Sequence, residues 1–311
     1  MSGDRELDAA AITDSRLRAA YLRCRKLNAE HGKSYYLATL LLTCAQRPAV
    51  HALYGFARMV DDILDGPSAV PIVERERRLS MLEGVLSDGF AAGCADHPVL
   101  AAVVDTVVRY DINRGYFRDF LRSMRMDLTV TDYPSMADLA VYMRGSAEVI
   151  GLQMLPVLGT RVPREQAEPA AAALGTAFQL TNFLRDVGED LERGRVYLPA
   201  DILSAHGVDR ELLARSRACG HTHRRIRAAV AELVAHTRRV YRVAATGIPL
   251  LAERSQPCVA TAFRLYRAIL DLIERRDYDV LARRAVVSRP RRLMMVIPAF
   301  ARAAASTGRR S

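Results

Sequence analysis

No two cysteines in this chain are spaced as a CxxC pair. The five present (Cys24, Cys44, Cys94, Cys219, Cys258) are scattered and odd in number, which does not suit a complete disulfide framework and points to a reduced, cytoplasmic protein. The start, Met1-Ser2-Gly3-Asp4-Arg5-Glu6, lacks the basic-then-apolar order of a signal peptide. No stretch reaches the roughly 18 uninterrupted apolar residues of a membrane span, so neither export nor a span is expected. There is no Gly-rich dinucleotide fingerprint, no repeat of fixed period and no extended low-complexity segment. Aromatics are sparse, at 6%. No stacking platform or known motif accompanies the arginines, which sets nucleic acid aside as a partner.

What is abundant is Ala, Leu, Arg and Glu, with apolar residues recurring at three and four over 16–30, 47–64, 109–128 and 170–191. That periodicity predicts an all-α protein. Gly66-Pro67, Asp96-His97-Pro98, Thr131-Asp132-Tyr133-Pro134, Arg161-Val162-Pro163 and Ser288-Arg289-Pro290 mark helix boundaries. None is long enough to link two domains, so residues 1–311 are expected to form one helical bundle. Net charge is +10, with much of the excess near the end, at Arg283, Arg284, Arg289, Arg291, Arg292, Arg302, Arg309 and Arg310. Such a balance favours anionic partners. Residues 289–311 form a basic segment around the apolar run Leu293–Phe300. It could rest on the inner face of a membrane as a peripheral contact, or dock on the core as a final helix.

Two carboxylate clusters stand out. In Tyr54-x3-Arg58-x2-Asp61-Asp62-x2-Asp65 the steps of four, three and four put Tyr54, Arg58, Asp61 and Asp65 on one helical face. Acidic runs on helices are usually solvated faces. An arginine beside them changes the chemistry, because guanidinium grips phosphate oxygens bidentately while carboxylates hold metal ions. In the second cluster Gln179, Asn182, Asp186 and Asp190 share a face, with Arg185 and Glu189 beside it. An amide oxygen can ligate without adding negative charge. Hard oxygen donors in short supply suit Mg²⁺, which completes its shell with water and phosphate. After this ladder, Arg193-Gly194-Arg195 and Tyr197-Leu198-Pro199 could fold over an anion or simply end the helix.

Two further stretches carry candidates. In His31-Gly32-Lys33-Ser34-Tyr35-Tyr36, Gly32 lets backbone approach an anion, Lys33 can neutralise it, and Ser34 can donate to it or cap the next helix. Tyr142-x2-Gly145-Ser146-Ala147-Glu148-Val149-Ile150-Gly151 places small residues in a helix, which permits close packing or leaves a groove for a long apolar ligand.

These segments, in this order, resemble the squalene/phytoene synthase family over about residues 20–290. Ser123-Met124-Arg125-Met126-Asp127-Leu128 and Gly145-Ser146-Ala147-x-Val149-Ile150-Gly151-Leu152-Gln153 look most like bacterial phytoene synthases. The resemblance implies an isoprenoid synthase fold, all-α, with a central cavity between the two carboxylate helices. It implies two prenyl diphosphate substrates, most fittingly the twenty-carbon geranylgeranyl compound, joined head to head through a cyclopropyl diphosphate to phytoene. Mg²⁺ or Mn²⁺ would be held by Asp61, Asp65, Asn182, Asp186 and Asp190, with Asp62 in support. Substrate would meet Lys33, Ser34, Tyr54, Arg58, Gln179, Asn182 and Arg185, with Tyr266 and Arg283 as a more distal pair. Asp61, Asp65, Asp186, Asp190, Arg58 and Tyr142 are the implied catalytic set.

No NADPH is expected for phytoene. Squalene, presqualene diphosphate or dehydrosqualene synthesis from fifteen-carbon farnesyl diphosphate is the nearer alternative, and squalene itself would need NADPH. Terpene cyclases carry a similar ladder but handle one diphosphate, and the extra cations favour condensation. A noncatalytic lipid-binding or assembly relative is disfavoured, since both ladders are intact. Two positions depart from the family: Gly32, where many relatives place a serine that touches diphosphate, and the acidic Glu148.

Overall fold

The computed structural model describes residues 3–64 and 70–297, excluding the side chains of Lys33 and Ser34. Asp65, the Gly66-Pro67 boundary and the end of the basic segment from 298 onward lie outside them. The helices in chain order are α1 (Gly3–Ala9), α2 (Ser15–His31), α3 (Lys33–Thr39), α4 (Arg47–Leu64), α5 (Ile72–Ala92), α6 (Pro98–Tyr110) and α7 (Gly115–Met126). They continue with α8 (Met136–Met143), α9 (Val149–Leu158), α10 (Arg164–Glu192), α11 (Ala200–Ala205), α12 (Arg210–Ala218), α13 (Arg224–Ala245) and α14 (Gln256–Arg275). Residues 289–297 form a last helical run. The described residues hold no strand, only isolated bridges between Asp132 and Val196 and between Thr160 and Leu251.

Local chemistry sets the boundaries. The Asp14, Ser135 and Asp209 side chains accept from the backbone N–H three residues on, at 2.8, 3.2 and 2.7 Å, and so start α2, α8 and α12. Pro98 opens α6 where its missing N–H costs nothing. The expected stretch 109–128 takes in the last two residues of α6 and then α7. Asp111 turns left-handed (φ 49°) and ends α6, and Asn113 Oδ1 accepts from the Gly115 N–H at 2.8 Å just before α7.

The long α10 is the hub. It packs on α13, α9 and α14 and on a π-helical turn (Arg144–Glu148) between α8 and α9. It feeds two hydrophobic clusters at once, through Leu180 and Phe183 to the core of α2, α4, α6, α7 and α9, and through Ala177, Leu184 and Val187 to that of α13 and α14. Close approach here requires glycine. A Cβ on Gly145 would lie 2.1 Å from the Asp119 carbonyl, on Gly151 2.2 Å from that of Ala171, and on Gly175 2.2 Å from that of Ala147. Gly145 and Gly151 therefore serve packing, not a groove.

Glu148 also finds its account. It pairs with Arg144 at 3.2 Å across the π turn and accepts from Thr176 Oγ1 of α10 at 3.3 Å. The last helical run settles the docking alternative only in part: Val296 is buried, while Leu293, Met294 and Ile297 are exposed. Among the described residues no helix is long and apolar enough to cross a membrane.

Candidate functional site

The first ladder occupies the C-terminal half of α4, whose opposite face buries Leu53, Phe56 and Val60. Asp61 and Asp62 project outward, and Arg58 Nη2 pairs with Asp62 Oδ1 at 2.5 Å. Arg58 is thus tied to the supporting carboxylate, and its Nε is buried without a partner. Tyr54, one turn earlier, has its hydroxyl pushed up to about 12 by burial, with Arg58 opposing and Asp61 and Tyr266 adding to the rise. Asp65, the other end of this ladder, lies just past the described part of α4.

The second ladder lies on α10, half-buried. Arg185 clasps Asp186 with both nitrogens, Nε at 2.8 Å and Nη2 at 2.6 Å. Burial favours the neutral acid at Asp186, but Arg185 and Arg284 outweigh it and lower the pKa. Asp190 moves the other way. Burial, and then the charge of Asp186 one turn back, push it up to about 7. Asn182 Nδ2 donates to Gln179 Oε1 at 3.3 Å, while its Oδ1 is buried with no partner. An orphaned amide oxygen in line with two crowded carboxylates is a donor set short of a cation, and it fits a hard divalent ion. No three carboxylate, histidine or cysteine side chains among the described residues converge as a ready-made cluster. The amide and the arginine clasp on Asp186 account for that.

A neighbour of the expected Arg283, Arg284, reaches the ladder, with Nε on Asp186 Oδ1 at 2.7 Å and Nη1 on Glu189 Oε1 at 3.4 Å. Arg283 is exposed and forms no hydrogen bond or ion pair with another described residue. Spacing had not singled out Arg284, which lies in the irregular segment 276–288. Tyr266 keeps its place at the site. Burial raises its pKa, while the Tyr35 hydroxyl and the Arg185 guanidinium pull it down. Phe178 stacks on the Tyr266 ring at 4.2 Å, and Tyr35 approaches both rings, at 5.3 Å from Tyr266 and 6.2 Å from Phe178. Tyr54 of α4 feels the charge state of Tyr266 on α14, and Tyr266 in turn feels Arg185 and Asp186 on α10, so the three helices share one electrostatic neighbourhood.

Ser34 lies in the first turn of α3, and Gly32 holds the N-cap position. A Cβ on Gly32 would fall 2.1 Å from Asn28 Oδ1 and 2.7 Å from the Asn28 carbonyl. The Asn28 amide fills the space a serine would need.

A carboxylate that spacing did not single out organises the far wall. Asp127, at the end of α7, accepts from Tyr142 at 2.8 Å and from Tyr197 at 2.9 Å, and its carbonyl accepts from Arg195 Nη2 at 2.7 Å. Tyr133, Tyr142, Tyr197 and Phe183 form one aromatic group, with Phe183 and Tyr197 stacked at 4.3 Å. The parallel bridge from Asp132 to Val196 brings the two loops together. So the 193–197 turn folds back against Asp127 rather than merely ending α10. The partners lie 15 and 70 residues from Asp127, beyond any periodic signal.

A model of the squalene/phytoene synthase family matches residues 28–291. The chain belongs to that family. It is 38% identical over 291 residues to phytoene synthase 2, chloroplastic, of Solanum lycopersicum, covering 92% of this chain and 91% of the relative. It is 39% identical to phytoene synthase 3, chloroplastic, of Zea mays, over 93% of this chain and 67% of the relative. Among solved structures, a dehydrosqualene synthase with bound ligand superposes with a TM-score of 0.81 at 26% identity, over 93% of this chain and 98% of that one. A squalene synthase from Alicyclobacillus acidocaldarius superposes at 0.77 and 25% identity, over 87% and 98%. The fold is the all-α isoprenoid synthase fold, and this family member is a prenyltransferase of a generally divalent-metal-dependent class.

The Asp190 environment yields a stability prediction. A carboxyl whose folded pKa is raised favours the native state in its neutral form, and that contribution is lost as pH rises from the ordinary carboxylate range through about 7. In metal-free buffer Asp190→Asn should therefore raise Tm by several degrees at pH 8 and by clearly less at pH 5, read by circular dichroism. A Tm gain independent of pH would show that Asp190 is not strained by its charge.

Proposed function

We infer that the protein joins two geranylgeranyl diphosphates head to head into phytoene by way of a cyclopropyl diphosphate. The observation that carries the product class is the 36–39% identity to phytoene synthases over at least 91% of the chain. The squalene-type structures are more distant, at 26% and 25%. Each half-reaction releases one diphosphate and one proton, so the carbon and hydrogen balance closes without a reductant. Squalene would require a hydride, and hence NADPH.

The donor set supports Mg²⁺ or Mn²⁺ held by Asp61, Asp62 and Asp65 on one side and Asn182, Asp186 and Asp190 on the other, the whole chain working as one domain. Such ions supply charge compensation for the departing diphosphate. The chain adds its own. Arg58, Arg185, Arg283 and Arg284, with Lys33, would bind diphosphate oxygens, and Ser34, Tyr54, Gln179 and Tyr266 would complete the contacts. For Arg185 and Arg284 this means exchanging a carboxylate on Asp186 for phosphate, leaving Asp186 free to ligate. The phenols of Tyr142 and Tyr197 already donate to Asp127, so toward substrate they offer oxygen lone pairs. That suits them to stabilise positive charge on the prenyl chain, not to hold the diphosphate.

The exposed Leu293, Met294 and Ile297, directly preceded by Arg289, Arg291 and Arg292, support a peripheral contact with an anionic membrane at its cytoplasmic face. An insoluble forty-carbon product gives such contact a use.

Two experiments test these readings. Incubation with fifteen- and twenty-carbon diphosphates, with and without NADPH, followed by mass analysis, should give phytoene from the twenty-carbon substrate regardless of NADPH. Preferential squalene or dehydrosqualene formation would overturn the assignment. Deleting residues 289–311 should weaken binding to anionic liposomes and flatten its salt dependence. Equal partitioning of the full and shortened chains would show that the last helix serves only to dock.

A further inference from the structure

Outside the matched segment, α1 buries a single carboxylate in the molecule. Glu6 is 1% exposed, and three basic side chains converge on it. Arg47 Nη1 approaches Oε1 at 3.2 Å, while Arg25 Nε and His51 Nε2 approach Oε2 at 3.0 and 3.7 Å. Burial opposes ionisation, but His51 and Arg47, and then Arg25, hold the carboxyl at about 2. A charge so enclosed is tolerated only because its partners are in place.

Each of those partners also grips the short helix that follows the His31-Gly32 turn. Arg47 donates from Nε to the Leu42 carbonyl at 3.0 Å and from Nη2 to that of Leu40 at 2.8 Å, fixing the C-terminal end of α3. Arg25 lies over the Tyr36 ring at 5.7 Å, and His51 stacks on the same ring at 5.8 Å. His51 Nδ1 pairs with the Asn28 side-chain amide at 2.9 Å, which leaves Nε2 facing Glu6. Asn28 in turn receives the Gly32 N–H on its carbonyl at 2.8 Å and fills the space beside the Gly32 Cα. At its other side α3 presents Tyr35 to Tyr266 and Phe178.

We propose that Glu6 is a positioning residue for diphosphate binding: it neutralises Arg25 and Arg47 and faces His51, so that together they hold α3, and with it the Gly32-Lys33-Ser34 turn, in register with the second ladder. The proposal rests on the reading of that turn as a diphosphate contact. Without the carboxylate, two arginines and an imidazole would face one another in a space of low dielectric, and the grip on α3 would relax. The effect belongs to substrate affinity, because the bonds being broken lie beyond the reach of Glu6.

The test uses the full chain in excess Mg²⁺, with geranylgeranyl diphosphate varied, at a temperature where circular dichroism shows each variant folded. Glu6→Gln and Arg25→Gln should raise KM about tenfold or more while kcat per folded molecule stays within about twofold, and Glu6→Asp should recover part of the affinity. Arg25 is partly exposed, with 24% of its side chain accessible, so its variant decides the matter if Glu6→Gln fails to fold. A fall in Tm or in active fraction with KM unchanged would make Glu6 a structural anchor and overturn the proposal. Lys33→Ala separates the two layers. Raised KM in Lys33→Ala with normal KM in both the Glu6 and Arg25 variants defeats the positioning role alone, and normal KM in Lys33→Ala defeats the reading of the turn.

Discussion

Asp186 and Asp190 stand one turn apart on the most heavily packed helix of the molecule, and two half-buried carboxylates so placed must be compensated. Much of the site's architecture answers that demand. Arg185 and Arg284 close on Asp186 from two elements. Asp190 has no such partner close enough to keep it down, and its pKa rises to about 7. The free amide oxygen of Asn182 completes the row. Metal-free, the ladder is held by arginines; with diphosphate and a divalent ion bound, the same arginines would have phosphate to pair with and the carboxylates a cation. Under the proposed function, charges would stay balanced in both conditions by exchange of partners, with little reorganisation of the helices.

Packing makes this possible. The glycines at 145, 151 and 175 let three segments lie backbone to backbone, so that α10 is fixed by the π turn and α9 on one flank and by α13 and α14 on another. On that frame the aromatic groups divide by hydrogen bonding. Tyr142 and Tyr197 donate to Asp127, while Tyr35 and Tyr266 gather with Arg185. In the proposed function the first group would face a cationic chain and the second an anionic head.

Much of this was legible in the sequence where a regular period carried it. The stretch 47–64 is a helix at those limits, and the Gln179–Asp190 face is a face, because 3.6-residue spacing decides both. Legibility failed where the chain leaves the period. Asp111 ends one helix where the apolar recurrence runs on, and an irregular segment brings Arg284, which no spacing marked, to Asp186. Glu6 was given no role, and Asp127 entered only as one letter of a resembling motif. A lone carboxylate acquires its meaning from partners far along the chain, and no local pattern announces them. The family resemblance could transfer motif positions but not these supports, and Glu6 lies outside its matched span.

The central claim is that both ladders act on one metal–diphosphate assembly. Calorimetric titration of inorganic diphosphate in Mg²⁺ measures this directly, on the parent protein, Asp61→Asn, Asp186→Asn and the double variant. Ligands sharing one assembly are coupled, so either single change should lose nearly as much affinity as both together. Losses that simply add, with each variant keeping half of the binding free energy change, would mean two independent sites and would contradict the account.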